Sequence, residues 1–114
     1  MSNFIEVVYK GKWTSTNDLR NKHWRSNQGL KNKMRSTYKA LILEQNPQPM
    51  KQFRVHVRFN SRIDTDNVTL KFFLDALKDA KVIVDDNKKF NRGLHIEPDE
   101  TLEFNTYVVR VTEL

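Results

Sequence analysis

Carboxylates crowd one short stretch of this chain: Asp64-Thr65-Asp66-Asn67, then Asp75, then Asp85-Asp86. Lys71 falls four residues before Asp75, and the apolar run Val82-Ile83-Val84 leads into the final pair. Like charges at this density repel, so a folded chain keeps them together only with something cationic or solvent between them. A divalent metal, a basic side chain and plain water are the three candidates. Asp64 and Asp66 stand two apart where an extended segment runs out, so both carboxylates project to one side. If Val82–Val84 carries the chain back along the intervening helix, Asp86 joins them, and three oxygen donors from two segments converge on a hard cation. Each piece also has an ordinary reading. Asp-x-Asp-Asn before a helix caps and turns, and Asp85-Asp86-Asn87 makes a solvated turn. Lys71 with Asp75 is an i,i+4 surface pair worth about 0.3–0.5 kcal/mol. The joint spacing is what points to a site.

The elements that must position these residues are legible in the periodicity. Residues 4–10, Phe-Ile-Glu-Val-Val-Tyr-Lys, read as a first strand, and the polar stretch from Gly11 to Gly29 is irregular. Leu30, Met34, Tyr38, Leu41 and Ile42 recur at helical spacing until Asn46-Pro47-Gln48-Pro49 stops them. Phe53, Val55, Val57 and Phe59 alternate with Arg54, His56 and Arg58, the mark of a half-buried strand. A second helix is expected from near Asn67, with Asp66 as its N-cap, burying Leu70, Phe73, Leu74, Leu77 and Ala80. Val82–Val84 is a short strand or a strand-like turn, and Leu102 to Val111 is the last strand. The order β-α-β-α-(β)-β predicts a single α+β domain over residues 1–114, a small mainly antiparallel or mixed sheet covered by two helices.

Composition narrows the partners. The net charge of +6 is unevenly spread: residues 1–62 hold 13 Lys/Arg against three acids, and residues 63–114 hold seven against 11. An acidic centre in a basic surround suits a metal-dependent enzyme acting on a polyanion, and equally an ordinary basic domain whose acids fall late. Lys31, Lys33, Arg35 and Lys39 on the first helix, with Lys22 and Arg25 before it, are the candidate phosphate contacts, joined by Lys10 and Lys12. Trp13 and Trp24 either stack on unpaired bases or pack internally, at least one of them in a core or interface. The chain has no cysteine, so disulfides and thiolate metal sites are excluded. His23, His56 and His95 are scattered without zinc-ligand spacing. With no membrane-length apolar run and no signal-peptide pattern at Met1–Glu6, a soluble cytoplasmic protein is expected.

The spacing of Asp64-Thr65-Asp66-Asn67, Lys71, Asp75-Ala76-Leu77 and Ile83-Val84-Asp85-Asp86 resembles the RusA-type Holliday junction resolvases, many of them encoded by phages and prophages. The likeness is strongest over residues 60–90, and Ser15-Thr16-Asn17 with His23-Trp24 looks like the family's N-terminal Ser-x-Asn loop. Two departures stand out. Lys71 follows Asp66 by one residue more than the family pattern, and Lys81 stands where a glycine is usual, implying a left-handed helix end. The resemblance implies a homodimer that binds branched DNA, chiefly four-way junctions, and makes paired symmetric cuts in recombination and repair with Mg2+, or Mn2+ in its place. Asp64, Asp66 and Asp86 would be the catalytic metal ligands and Asp85 a supporting one. Lys71 would neutralise charge on the scissile phosphate or orient the attacking water, tied in place by Asp75. Two other functions fit the same residues: a non-catalytic nucleic-acid-binding protein, and a broader branched-DNA or flap nuclease.

Overall fold

A computed structural model describes residues 3–13 and 28–114. The stretch holding Ser15–Asn17, Lys22, His23, Trp24 and Arg25 lies outside the described residues. The elements are β1 (Phe4–Lys10), α1 (Gln28–Leu43), β2 (Phe53–Asn60), a 3-10 turn (Thr65–Asn67), α2 (Lys71–Asp79), β3 (Asn91–Pro98) and β4 (Thr106–Glu113). The four strands form one mixed sheet in the order β1-β4-β2-β3. β4 pairs antiparallel with both β1 and β2, whereas β2 and β3 run parallel. The α+β architecture with two helices and a small mixed sheet is therefore as expected. No helix among the described residues is long and apolar enough to cross a membrane.

Alternation decides which face of the sheet is covered. Ile5 and Val7, Phe53 to Phe59 at every second position, and Tyr107, Val109 and Val111 are all buried, and meet Tyr38 and Ile42 of α1 and Phe73, Ala76 and Leu77 of α2. Trp13 fills the corner of this core at 1% exposure, stacked on Tyr107 at 4.8 Å and beside Tyr38 at 4.8 Å. The internal reading of Trp13 is thus the correct one. The opposite sheet face, over which no helix lies among the described residues, carries Arg54, His56 and Arg58 of β2 with Arg110 of β4.

Three expectations need correction. The second helix begins at Lys71, not near Asn67, and its N-cap position is Leu70, so Asp66 caps nothing there. The reason is Trp13, whose Nε1 donates to the Thr69 carbonyl at 2.6 Å. Val68 is extended, and Val68 and Leu70 on either side of Thr69 are both buried, so the helix starts only after Leu70. Asn91–Pro98 is a strand that the sequence did not announce, since Gly93 and the charged Arg92 and Glu97 mask it. The last strand runs from Thr106 to Glu113, starting four residues later than Leu102.

The helix-end departure holds in detail. Lys81 has φ +61°, its N–H donates to the Lys78 carbonyl at 3.0 Å, and Val82 donates to Leu77 at 3.0 Å. This is the Schellman closure, with a lysine in the place glycine prefers. Lys81→Gly should therefore raise stability by about 1 kcal/mol and the melting temperature by about 4 °C, read by calorimetry.

Candidate functional site

Strand β2 delivers the chain to the first acidic pair. Beyond Asn60, Ser61 hydrogen-bonds Tyr107 through the two hydroxyls at 2.5 Å and receives the Ile63 N–H at 3.2 Å. Asp64 follows in extended backbone and accepts the Asn67 N–H on its carbonyl at 2.8 Å. Its carboxylate makes no capping bond, and both Asp64 and Asp66 are exposed. Beside them opens a cleft of about 400 Å³ lined by Lys12, Trp13, Ser61, Arg62, Ile63, Phe104, Asn105 and Tyr107. Lys71 is exposed on the first turn of α2.

The second acidic group sits elsewhere on the same helix. Lys78, in the last turn of α2, places Nζ 3.5 Å from Asp75, 3.8 Å from Asp85 and 3.7 Å from Asp86. Of the three candidates for the charge between the carboxylates, a basic side chain fills the place. Asp85 also accepts the Asp86 N–H at 2.7 Å and the Asn87 amide at 3.0 Å. Those backbone and side-chain bonds, with Lys78 adding its charge, hold the Asp85 carboxyl below its ordinary value.

Asp85 and Asp86 thus meet a lysine of the last turn of α2. After the Schellman turn, Ile83 bridges Met50, ahead of β2, and Met50 donates to the Val82 carbonyl at 2.7 Å. That contact holds the segment beside the beginning of β2, whereas Asp64 and Asp66 follow the strand's end. Among the described residues, Asp64, Asp66, Asp85 and Asp86 form no group of three whose ligand atoms lie close enough to share an ion. Asp75 pairs with Lys78 and makes no ion pair with Lys71, so the tie expected between Lys71 and Asp75 is absent among the described residues.

The basic helix is also partly committed. Arg35 spans to α2 and donates to both Asp79 oxygens at 2.9 and 3.0 Å, clamping the two helices together. Of the helix cations, Lys33 is exposed and Lys31 and Lys39 are partly so. For a nucleic-acid-binding role of this helix, replacing Lys31, Lys33 and Lys39 together should weaken binding to every DNA shape and flatten the salt dependence by up to about three phosphate contacts. Arg35→Ala should instead lower the melting temperature by about 2–4 °C at an unchanged salt slope, because an exposed pair contributes about 0.5–1 kcal/mol. Titrating fluorescent junction DNA across salt concentrations separates the two effects.

One cluster has no counterpart in the sequence reading. His56 and His95 are register partners across the parallel β2–β3 pair, and their rings are 5.1 Å apart. Glu97 lies between them, 2.7 Å from His56 Nε2 and 3.4 Å from His95 Nε2. Bonds from both imidazoles, His56 first, pull the Glu97 carboxyl below its ordinary value. Together the three side chains are able to hold a metal ion. Alternation in β2 correctly turned His56 outward, but pairing it with His95 required recognising β3. Comparison of the chain with protein-family models and with curated proteins finds no match.

Proposed function

We propose that the protein is a Mg2+-dependent, structure-specific DNA endonuclease of the RusA type, resolving four-way junctions by paired symmetric cuts. One observation carries the reading. Asp64-Thr65-Asp66-Asn67, Lys71, Asp75-Ala76-Leu77 and Asp85-Asp86 all fall on a single crossover from β2 through α2 toward β3. Lys12 and Arg62 at the cleft beside Asp64 support it by offering phosphate contacts next to a carboxylate pair. Mg2+ enters through the resemblance and through the all-oxygen chemistry of the aspartates. Among the described residues the four aspartates form no group of three with ligand atoms close together, and Lys78 Nζ lies 3.8 and 3.7 Å from Asp85 and Asp86.

Junction symmetry argues for two protomers, each supplying one cut, so a C2 homodimer belongs to the proposal. Phe4 and Val8 of the edge strand β1 are exposed apolar groups suited to its interface. The deciding experiment is incubation of an end-labelled four-way junction with the protein and Mg2+, beside a linear duplex of the same sequence. Symmetric paired cuts in the junction alone support resolution. Equal cutting of flaps and forks indicates the broader nuclease. Junction binding with no cleavage in any divalent metal indicates a non-catalytic binding protein, the reading that the Lys78-centred acidic group favours.

A further inference from the structure

We infer that His56, His95 and Glu97 form a second metal site, specific for borderline divalent cations of the Zn2+ class and separate from the acidic crossover. The donor set comes first. Two imidazoles and one carboxylate suit Zn2+, Co2+ or Ni2+, whereas Mg2+ takes oxygen ligands and retains its waters. The geometry comes second. In a tetrahedral zinc site with bonds of about 2.0–2.1 Å, neighbouring ligand atoms lie about 3.3 Å apart. Here the Glu97 oxygens stand 2.7 and 3.4 Å from the two Nε2 atoms, and one ligand atom from each residue lies within 4.8 Å of the others. Conversion from hydrogen bonds to metal bonds thus takes small side-chain shifts on a backbone already in place. Both imidazoles direct Nε2, not a ring carbon, at the same carboxylate.

The fold explains why these residues hold that pose. His56 is on the central side of the pair, in β2, which is hydrogen-bonded to β4 on its other edge. His95 and Glu97 are two apart on β3, so their side chains share a face. The ion would sit on the sheet face that carries Arg54, His56 and Arg58, which no helix covers among the described residues, with its fourth position open to water. Across the sheet, Arg110 is the register partner of His56 and Arg58 that of Glu97. Arg110 stacks over the Phe4 ring at 4.1 Å, and Arg58 donates to Asp99 at 2.9 Å. Arg110 and Arg58 are therefore engaged by other groups, while Arg54 and Arg92, the latter donating to the Lys88 carbonyl at 3.1 Å, line the same pocket as the two histidines. Bound metal would join the edge strand β3 to β2 by ligand bonds in addition to the backbone ladder.

Titration of the full chain with zinc chloride by calorimetry, and with cobalt chloride by visible absorption, tests the site. One ion per chain is expected, with the intense absorption of tetrahedral Co2+, undiminished by millimolar Mg2+. His95→Ala and Glu97→Gln should each weaken Zn2+ binding by about 100-fold or more, since ligands matter at least as much as the partners that orient them. His23→Ala and an Asp64→Asn/Asp86→Asn double variant should bind as the parent does. Zn2+ affinity unchanged in His95→Ala and in Glu97→Gln, with circular dichroism confirming both folded, would overturn the site. So would a one-to-one site that disappears in the aspartate variant.

Discussion

Asp64→Asn and Asp86→Asn should each cut a four-way junction more than about 100-fold more slowly than the parent protein, while binding it as tightly or more tightly. The reasoning separates two consequences of one substitution. Turning a carboxylate into an amide removes an anionic oxygen donor for a hard cation, and losses of about 10–100-fold already follow from disturbing only the groups around a metal ligand. The same change removes a negative charge from a surface that, under the proposed function, approaches phosphates, which favours binding. Asp64 is exposed and makes no capping bond, so its replacement disturbs no structural contact. Asp86 meets Lys78 at 3.7 Å, and a melting curve will show how much its replacement costs the fold. Single-turnover cleavage with a gel-shift assay on the same variants gives both quantities. Parental cleavage by the Asp86→Asn variant would exclude that residue from the reaction. Parental cleavage by both would return the acidic crossover to a structural role.

Trp13→Ala should leave much of the chain unfolded at 37 °C whatever its function. Trp13 is 1% exposed, contacts the rings of Tyr9, Tyr38, Phe73 and Tyr107, and donates to Thr69 at 2.6 Å. Truncating a buried tryptophan costs about 3–5 kcal/mol, against a total stability of about 5–15 kcal/mol for a domain. The lost hydrogen bond adds to this, because Thr69 then holds a carbonyl without its partner in a partly buried place. Trp13→Phe should recover most of the packing and lose only the donor. Urea melts followed by far-ultraviolet circular dichroism check the order parent, Trp13→Phe, Trp13→Ala. A Trp13→Ala variant as stable as the parent but deficient in DNA binding would reverse the assignment of this side chain to the core.

Where local periodicity was strong, the residues alone determined the outcome. Phe4–Lys10 and Phe53–Asn60 alternate, residues 30–42 repeat at helical spacing, and the structure places strands and a helix there. The left-handed turn at Lys81 was expected only through the family resemblance, which puts a glycine there, and the closing bonds from Lys81 and Val82 bear it out. What long-range pairing controls was not legible. β3 carries few apolar residues and is a strand because β2 offers it a free edge. The start of α2 moved to Lys71 because an indole 56 residues away claims the Thr69 carbonyl. The acidic spacing was equally compatible with a metal or a lysine at its centre. Only the tertiary structure, with Ile83 bridging Met50, brought Asp85 and Asp86 to Lys78. His56 and His95, 39 positions apart, became neighbours through a parallel register that neither residue's own surroundings encode. A side chain's face follows from its neighbours in sequence, but its partner depends on which strand arrives beside it.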